Sequence, residues 1–126
     1  MLVHSDLIAF LATTQPERAK AFYSEVLGLP LMEDTPFALV FDGHGTMLRI
    51  QKVQTLTPAG HTVLGWRVVD VHEAVEILLK RGVIFNRYPG LPQDEQGIWT
   101  TSDGNKIAWF TDPDGNTLSV TEIRDD

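Results

Sequence analysis

The chain has 126 residues, a formal net charge of −7 and no cysteine. The missing thiols exclude disulfides, thiolate metal sites and cysteine nucleophiles, and the negative charge argues against binding to nucleic acid. No apolar run is long enough to span a membrane, and residues 1–6 lack a basic segment followed by an apolar one. We therefore expect a cytoplasmic protein with no membrane partner.

The first half of the chain predicts a strand, a helix and three further strands. Leu7–Ala12 is a short apolar run, which is typical of a buried strand. Thr14 is predicted to cap the helix because Glu17 follows at the spacing of a capping box. Gly28 can supply the left-handed conformation that ends the helix. The strands that follow are predicted at 29–33, 37–41 and 47–53.

The second half predicts the same order of elements. After a connection at 54–61, a strand is predicted at 62–68. Asp70 is expected to cap a helix that ends at Gly82. The later strands are predicted at 83–88, 98–101, 106–111 and 117–123, and the last two are joined by the turn Asp112–Asn116.

The two halves therefore form an internal repeat with one insertion. The offset between equivalent positions grows along the second half, which indicates about fifteen additional residues around 89–105. A long loop of this kind can close over a site. Tyr88 and Trp99 are thus candidates for a lid.

This pattern resembles the vicinal oxygen chelate superfamily, which contains glyoxalase I, extradiol dioxygenases, fosfomycin-resistance enzymes and bleomycin-resistance proteins. The resemblance rests on the duplication, on the helix end Ala21–Gly28 and on the Asp112–Asn116 turn. It implies an α+β fold in which two βαβββ repeats form a curved mixed sheet around a cleft. We expect a single domain over 1–126, with repeats at about 7–53 and 62–123 and a linker at about 54–61. The resemblance also implies a homodimer.

Members of this superfamily that use a metal place ligands at equivalent strand positions of each repeat, usually His or Glu. The motifs put these positions on Ile8, Arg49, Val63 and Ser119. Two hydrocarbons, a permanent cation and a neutral hydroxyl are unsuitable ligands for a divalent metal. We therefore expect no metal and no other cofactor.

A metal site with displaced ligands is the alternative. His4 and His61 share the strand parity of the ligand positions nearest to them. Glu122 could add a carboxylate, although its parity is opposite to that of Ser119. Such a site would hold a divalent metal and support a lyase or a dioxygenase.

Two arginines are the main candidates for binding a ligand. Strict alternation points Arg49 and Arg67 toward the implied cleft, where each could hold a carboxylate or phosphate, or pair with a carboxylate of the protein. The other candidate ligand-binding residues on that side are Gln51, Ser119, Thr121, Phe10 and Met47.

Three tryptophans could stack on a planar ligand. The parity of Trp66 predicts that it packs under a helix, whereas the long preceding loop leaves the register of Trp109 undetermined. Trp99 is therefore the best stacking candidate, although aromatic residues in strands more often belong to a core.

The sequence identifies no catalytic residues, because no acid–base pair and no activated nucleophile fall on the predicted cleft side. The leading hypothesis is a protein that binds a small organic molecule without a metal, and this molecule could be an anion. A metal-dependent lyase or dioxygenase is the alternative. A homodimeric module with a vestigial cleft is a third interpretation.

Overall fold

The structure is a computed structural model that describes residues 1–125. It contains two compact units, of which the first is Met1–Thr57 and the second begins at Pro58. The boundary lies within the segment 54–61 that the sequence predicts as the connection. None of the helices within residues 1–125 combines the length and the apolar character needed to cross a membrane.

The first unit is a four-stranded mixed sheet with one helix. Its elements are β1 Ile8–Thr13, α1 Pro16–Ala21, β2 Leu31–Asp34, β3 Ala38–Gly43 and β4 Thr46–Lys52, with a 3₁₀ turn at Leu2–His4 and a π-helical turn at Phe22–Val26 directly after α1. Strand β1 runs parallel to β4, and the remaining pairs in the order β1-β4-β3-β2 are antiparallel.

The core of the first unit lies on the helix side of this sheet. Leu48 and Ile50 alternate along β4 and are buried, because successive side chains of a strand point to opposite faces. Tyr23 of the π-helical turn is fully buried, and its ring centroid lies 5.8 Å from that of Phe41 on β3. The helix therefore covers one face of the sheet and leaves the other face without a helix.

The start of α1 differs from the prediction. The N-cap residue is Gln15, whose side chain makes no capping hydrogen bond, so the prediction that Thr14 caps the helix is wrong. Instead, the backbone N–H of Gln15 donates to the Thr13 hydroxyl at 3.0 Å. Pro16 occupies the first helical position, where a missing N–H has no consequence. Gly28 has φ +76°, as its predicted role at the helix end requires.

Asp34 ties the helix to two strands of the first sheet. Its carboxylate, at the end of β2, accepts from Lys52 Nζ on β4 at 2.6 Å and from Lys20 Nζ on α1 at 3.1 Å. The hydrogen bonds from Lys52 and Lys20 lower the pKa of Asp34, and the bond with Asp34 raises the pKa of Lys20. Lys20 and Lys52 therefore each form an ion pair with Asp34.

The second unit repeats the topology. Its elements are β5 Thr62–Arg67, α2 Val71–Lys80, β6 Trp99–Thr100, β7 Lys106–Thr111 and β8 Thr117–Glu122. The strand order is β5-β8-β7-β6, with β5 parallel to β8 and the other pairs antiparallel.

Helix α2 is capped by two carboxylates. The predicted cap Asp70 is confirmed, since its side chain accepts from the backbone N–H groups of His72 at 3.0 Å and of Glu73 at 3.2 Å. Glu122 of β8 accepts from the N–H of Val71 at 3.0 Å. The helix begins against the sheet because these carboxylates satisfy donors that have no partner within the helix.

The segment between α2 and β6 differs from the prediction of a strand at 83–88. Phe85 forms only an isolated bridge to Phe110 on β7, and the strand predicted at 98–101 shortens to Trp99–Thr100. The side chains of Gln93 and Asp94 bond to backbone groups of 86–98, in place of a regular strand ladder. The N–H of Asn86 donates to the Trp109 carbonyl on β7 at 2.8 Å.

Candidate functional site

The helix-free face of the second sheet gathers aromatic and hydroxyl side chains. Residues directly opposite each other on paired strands lie on the same face. Ser119 is opposite both Gly65 and Trp109, and Thr121 is opposite Arg67 and Ile107. By this register the helix-free face carries Thr62, Gly65, Arg67, Trp99, Ile107, Trp109, Ser119 and Thr121.

Three aromatic rings form a cluster on this face, which we name the aromatic cluster: Tyr88, Trp99 and Trp109. The rings of Trp99 and Trp109 stack with centroids 6.1 Å apart and an interplanar angle of 25°. Tyr88 meets Trp109 edge-on, with centroids 5.4 Å apart. The indole N–H of Trp109 donates to the Thr62 hydroxyl at 3.0 Å, which fixes the tilt of that ring.

The segment 86–98 holds Tyr88 and Trp99 in place. The Gln93 amide accepts from the N–H of Tyr88 at 2.7 Å and donates to the carbonyls of Asn86 and Gly97, each at 2.9 Å. Arg87 donates to two further carbonyls of the segment, each at 2.5 Å. The inserted loop is therefore cross-linked by hydrogen bonds of its own side chains.

Ser119 lies beneath the face, with 6% of its surface exposed. A β-carbon built at Gly65 would lie 2.7 Å from the Ser119 Oγ. The absence of a side chain at Gly65 therefore makes room for the Ser119 hydroxyl.

Replacing Gly65 by alanine is expected to lower the free energy of unfolding by about 1–2 kcal/mol. The steric clash destabilises the folded state by more than the lower conformational entropy of the unfolded chain stabilises it. Urea unfolding followed by circular dichroism measures the change. Gly60→Ala is the control, because a β-carbon at Gly60 would have no heavy atom of another residue within 4 Å beyond its chain neighbours. Adding Ser119→Ala to Gly65→Ala should restore stability, and equal losses in the single and double variants would contradict the steric argument.

Arg67 shares the face but has a partner in the protein. Its guanidinium is 2.9 Å from the Asp125 carboxylate, and both side chains are exposed to solvent. The sequence allowed Arg67 to bind a ligand or to pair with a carboxylate of the protein, and the structure contains the pair. An exposed pair of this kind contributes little to stability, so a ligand carboxylate would have to displace Asp125.

The helix-free face of the first sheet carries the remaining predicted residues. Ile8 is opposite Met47, and Arg49 is opposite Phe10. Gln51 follows on the same face, because Leu48 and Ile50 point to the core. The face is apolar at one end, and Arg49 and Gln51 form its polar part.

The residues at the implied metal positions do not fit a divalent metal. Ile8 and Val63 offer no lone pair, Arg49 is a cation, and Ser119 offers only a neutral hydroxyl. The alternative ligands His4, His61 and Glu122 do not fit a metal either. The Glu122 carboxylate accepts a hydrogen bond from the start of α2, and His61 is exposed. Within residues 1–125 no three His, Asp or Glu side chains are grouped as metal ligands would be.

Sequence reasoning missed part of the aromatic cluster. Trp109 lies on the helix-free face because β7 pairs with β8 so that it faces Ser119. Its parity could not be counted across the preceding loop. A register shift between Thr62 and Leu64 likewise interrupts the alternation in β5 and brings Thr62 within reach of Trp109. Tyr88 was expected only in a lid, and the alternating pattern carries no signal for its contact with Trp109.

Known proteins resemble the chain in sequence family and in fold. A solved member of the glyoxalase/bleomycin resistance protein/dioxygenase superfamily from Sphaerobacter thermophilus DSM 20745 is 23% identical, covers 98% of this chain and 100% of its own, and has a TM-score of 0.75. TnmS3, an antibiotic binding protein from Streptomyces sp. CB03234, is 25% identical over 98% of this chain and 99% of its own, with a TM-score of 0.72.

A lactoylglutathione lyase from Agrobacterium tumefaciens is 18% identical, covers 94% of this chain and 93% of its own, and has a TM-score of 0.72. No curated protein matches the chain significantly. The likenesses confirm the predicted α+β fold of two βαβββ repeats. The family model of the Glyoxalase/Bleomycin resistance protein/Dioxygenase superfamily matches residues 4–120. The chain belongs to that superfamily.

Proposed function

We propose that the protein binds a small organic molecule with a planar aromatic part, and that it does so without a metal. The observation that carries the proposal is the stacked pair of Trp99 and Trp109 on the helix-free face of the second sheet. The 25% identity to the antibiotic binding protein TnmS3 supports a binding role rather than a particular ligand.

The chemistry of the aromatic cluster suits such a ligand. Indole rings offer a large apolar surface and a π-face, on which a flat ring gains both burial and stacking. The Trp109 N–H already has a partner in Thr62, so binding a flat ring does not leave that donor unsatisfied. The nearby side chains of Ser119 and Thr121 are neutral hydroxyls that can orient a polar substituent.

The metal-dependent alternative lacks comparable support. A lyase or dioxygenase of this kind needs several protein ligands around one ion with an open coordination position. Ile8, Arg49, Val63 and Ser119 cannot supply that set. The likeness to the lactoylglutathione lyase, at 18% identity, concerns the fold alone.

Quenching of tryptophan fluorescence by a panel of planar aromatic compounds tests the proposal. We expect at least one compound to bind, and Trp99→Ala to weaken its affinity roughly fivefold or more, because stacking on one aromatic side chain is worth about 1–3 kcal/mol. Trp66→Phe is the matched control, since Trp66 is opposite Val120 on the helix side of the sheet. The Trp66→Phe variant should bind the compound with the same affinity as the wild type.

Two results would contradict the proposal. One is a panel in which no compound binds while elemental analysis finds near-stoichiometric metal that His61→Ala removes. The other is equal affinity in Trp99→Ala and the wild type, with circular dichroism showing both folded. Either result would favour the metal-dependent alternative or another binding surface.

We also propose a homodimer that works in the cytoplasm. Exposed apolar side chains that precede β1 support the dimer, since Leu2, Val3 and Leu7 would leave water if a second copy covered them. The lack of cysteine is compatible with a reducing compartment. Sedimentation equilibrium of the untagged protein tests the dimer, and a single monomeric species at all concentrations would reject it.

A further inference from the structure

Arg49 occupies an unusual position in the first sheet. It lies within β4, which has a paired strand on each side, and its partners are Phe10 on β1 and Val40 on β3. Its side chain is half-buried on the helix-free face, with Met47 two residues before it on the same strand face. Phe10, Val40 and Met47 are apolar, so these three side chains offer the guanidinium no hydrogen-bond partner.

No carboxylate within residues 1–125 forms an ion pair with Arg49. Among residues 1–125, Arg49 takes part in no ion pair and in no hydrogen bond of its side chain. Two carboxylates lie on the same face of the sheet. Asp42 accepts from the N–H of Gly45 at 2.9 Å, and Glu33 lies on the outer strand β2, opposite Val40. Neither forms an ion pair with Arg49.

A second donor lies beside Arg49. Gln51 is the next residue on the same face of β4, and its partners on the two neighbouring strands are Ala12 and Ala38. The Gln51 amide, which is exposed, adds a neutral N–H donor on that side.

We propose that Arg49 and Gln51 form an oxyanion-binding site on the first sheet, which takes the carboxylate or phosphate group of a small organic molecule. A planar guanidinium binds either group through two parallel hydrogen bonds, and partial burial strengthens them. Phe10 and Met47 accommodate the apolar body of the ligand.

The site goes beyond the proposed stacking on the second sheet, and its test avoids aromatic probes. The probes are cyclohexanecarboxylate, inorganic phosphate and the neutral cyclohexanecarboxamide. None of them can stack on Trp99. The arginine side-chain Nε–H resonances report binding by NMR, and Arg49→Lys assigns the Arg49 signal.

We expect cyclohexanecarboxylate to shift the Arg49 signal in a saturable way, and the carboxamide to leave it unchanged. Arg49→Gln should weaken carboxylate binding roughly tenfold or more, because a hydrogen bond between charged groups is worth about 1.5–3 kcal/mol. Arg49→Lys keeps the positive charge but lacks the planar guanidinium that donates two parallel hydrogen bonds, so it should give an intermediate affinity. Tighter binding of phosphate than of cyclohexanecarboxylate would assign the site to phosphate-bearing ligands.

Arg18→Gln is the matched control, since Arg18 is exposed on α1 and its guanidinium donates to the side-chain oxygen of Gln15 at 2.6 Å. Its affinity for cyclohexanecarboxylate should equal that of the wild type. Equal affinity in Arg49→Gln and the wild type would overturn the inference, as would an equal response to the acid and the amide. A negative result for Arg49 would not affect the proposal of stacking on Trp99. Likewise, equal affinity in Trp99→Ala and the wild type would not affect the proposed oxyanion site.

Discussion

Replacing Asp112 by alanine is expected to lower the free energy of unfolding by about 3 kcal/mol, because a buried acceptor of three hydrogen bonds is lost. Asp112 is 6% exposed and lies at the start of the turn between β7 and β8. Its carboxylate accepts from the N–H of Asp114 at 3.0 Å, and from the N–H at 3.0 Å and the side-chain amide at 2.8 Å of Asn116. Asn116 is itself buried, so part of the donor set would remain without water.

The first repeat provides a matched control for this prediction. Asp42 begins the equivalent turn, where its carboxylate accepts the N–H of Gly45 at 2.9 Å. Asp42→Ala should therefore cost about 1 kcal/mol, the usual contribution of one hydrogen bond. Urea unfolding followed by circular dichroism compares the two variants. Equal losses in Asp42→Ala and Asp112→Ala would show that the three-bond turn does not stabilise the second unit as argued.

Replacing Tyr23 by alanine is expected to cost about 4 kcal/mol, since removal of a buried aromatic ring loses transfer energy and leaves a cavity. The side chain has no exposed surface, and its ring lies 5.2 Å from Phe22 and 5.8 Å from Phe41. These contacts join the helical segment to β3. We therefore expect the loss to destabilise the whole first unit rather than the helix alone.

Phe37→Ala is the control for Tyr23→Ala in the same unit, because Phe37 is 76% exposed. Its removal should change the free energy of unfolding by less than about 0.5 kcal/mol. The same urea titration measures both variants. A loss for Tyr23→Ala no larger than that for Phe37→Ala would mean that the helix does not depend on this ring.

The two proposed binding features make different demands on a ligand. The aromatic cluster selects for a flat ring through Trp99 and Trp109, whereas Arg49 selects for negative charge. Each lies within one unit and can be removed by a single substitution. The patterns of lost affinity in Trp99→Ala and Arg49→Gln therefore separate a neutral planar ligand from an acidic one.

Much of the fold follows from local chemistry in the sequence. Asp70 precedes the helical apolar stripe at capping spacing, and it does cap α2. Gly28 and Gly82 end their helices with φ of +76° and +90°, conformations that glycine adopts without steric cost. Such features act over a few residues, so the sequence by itself determined the repeat, the order of elements and most of the strands.

Only the tertiary structure decided which side chains meet on the helix-free faces. Parity can be counted within one strand, but the loop before β7 and the register shift in β5 interrupt the count. Trp109 was therefore placed by the pairing of β7 with β8, and Tyr88 by the hydrogen bonds of Gln93. Likewise, the sequence placed both Arg49 and Arg67 on these faces, but only long-range contacts decided that Arg67 pairs with Asp125. Strand register and ion pairs join residues far apart in the chain, and a local pattern does not encode them.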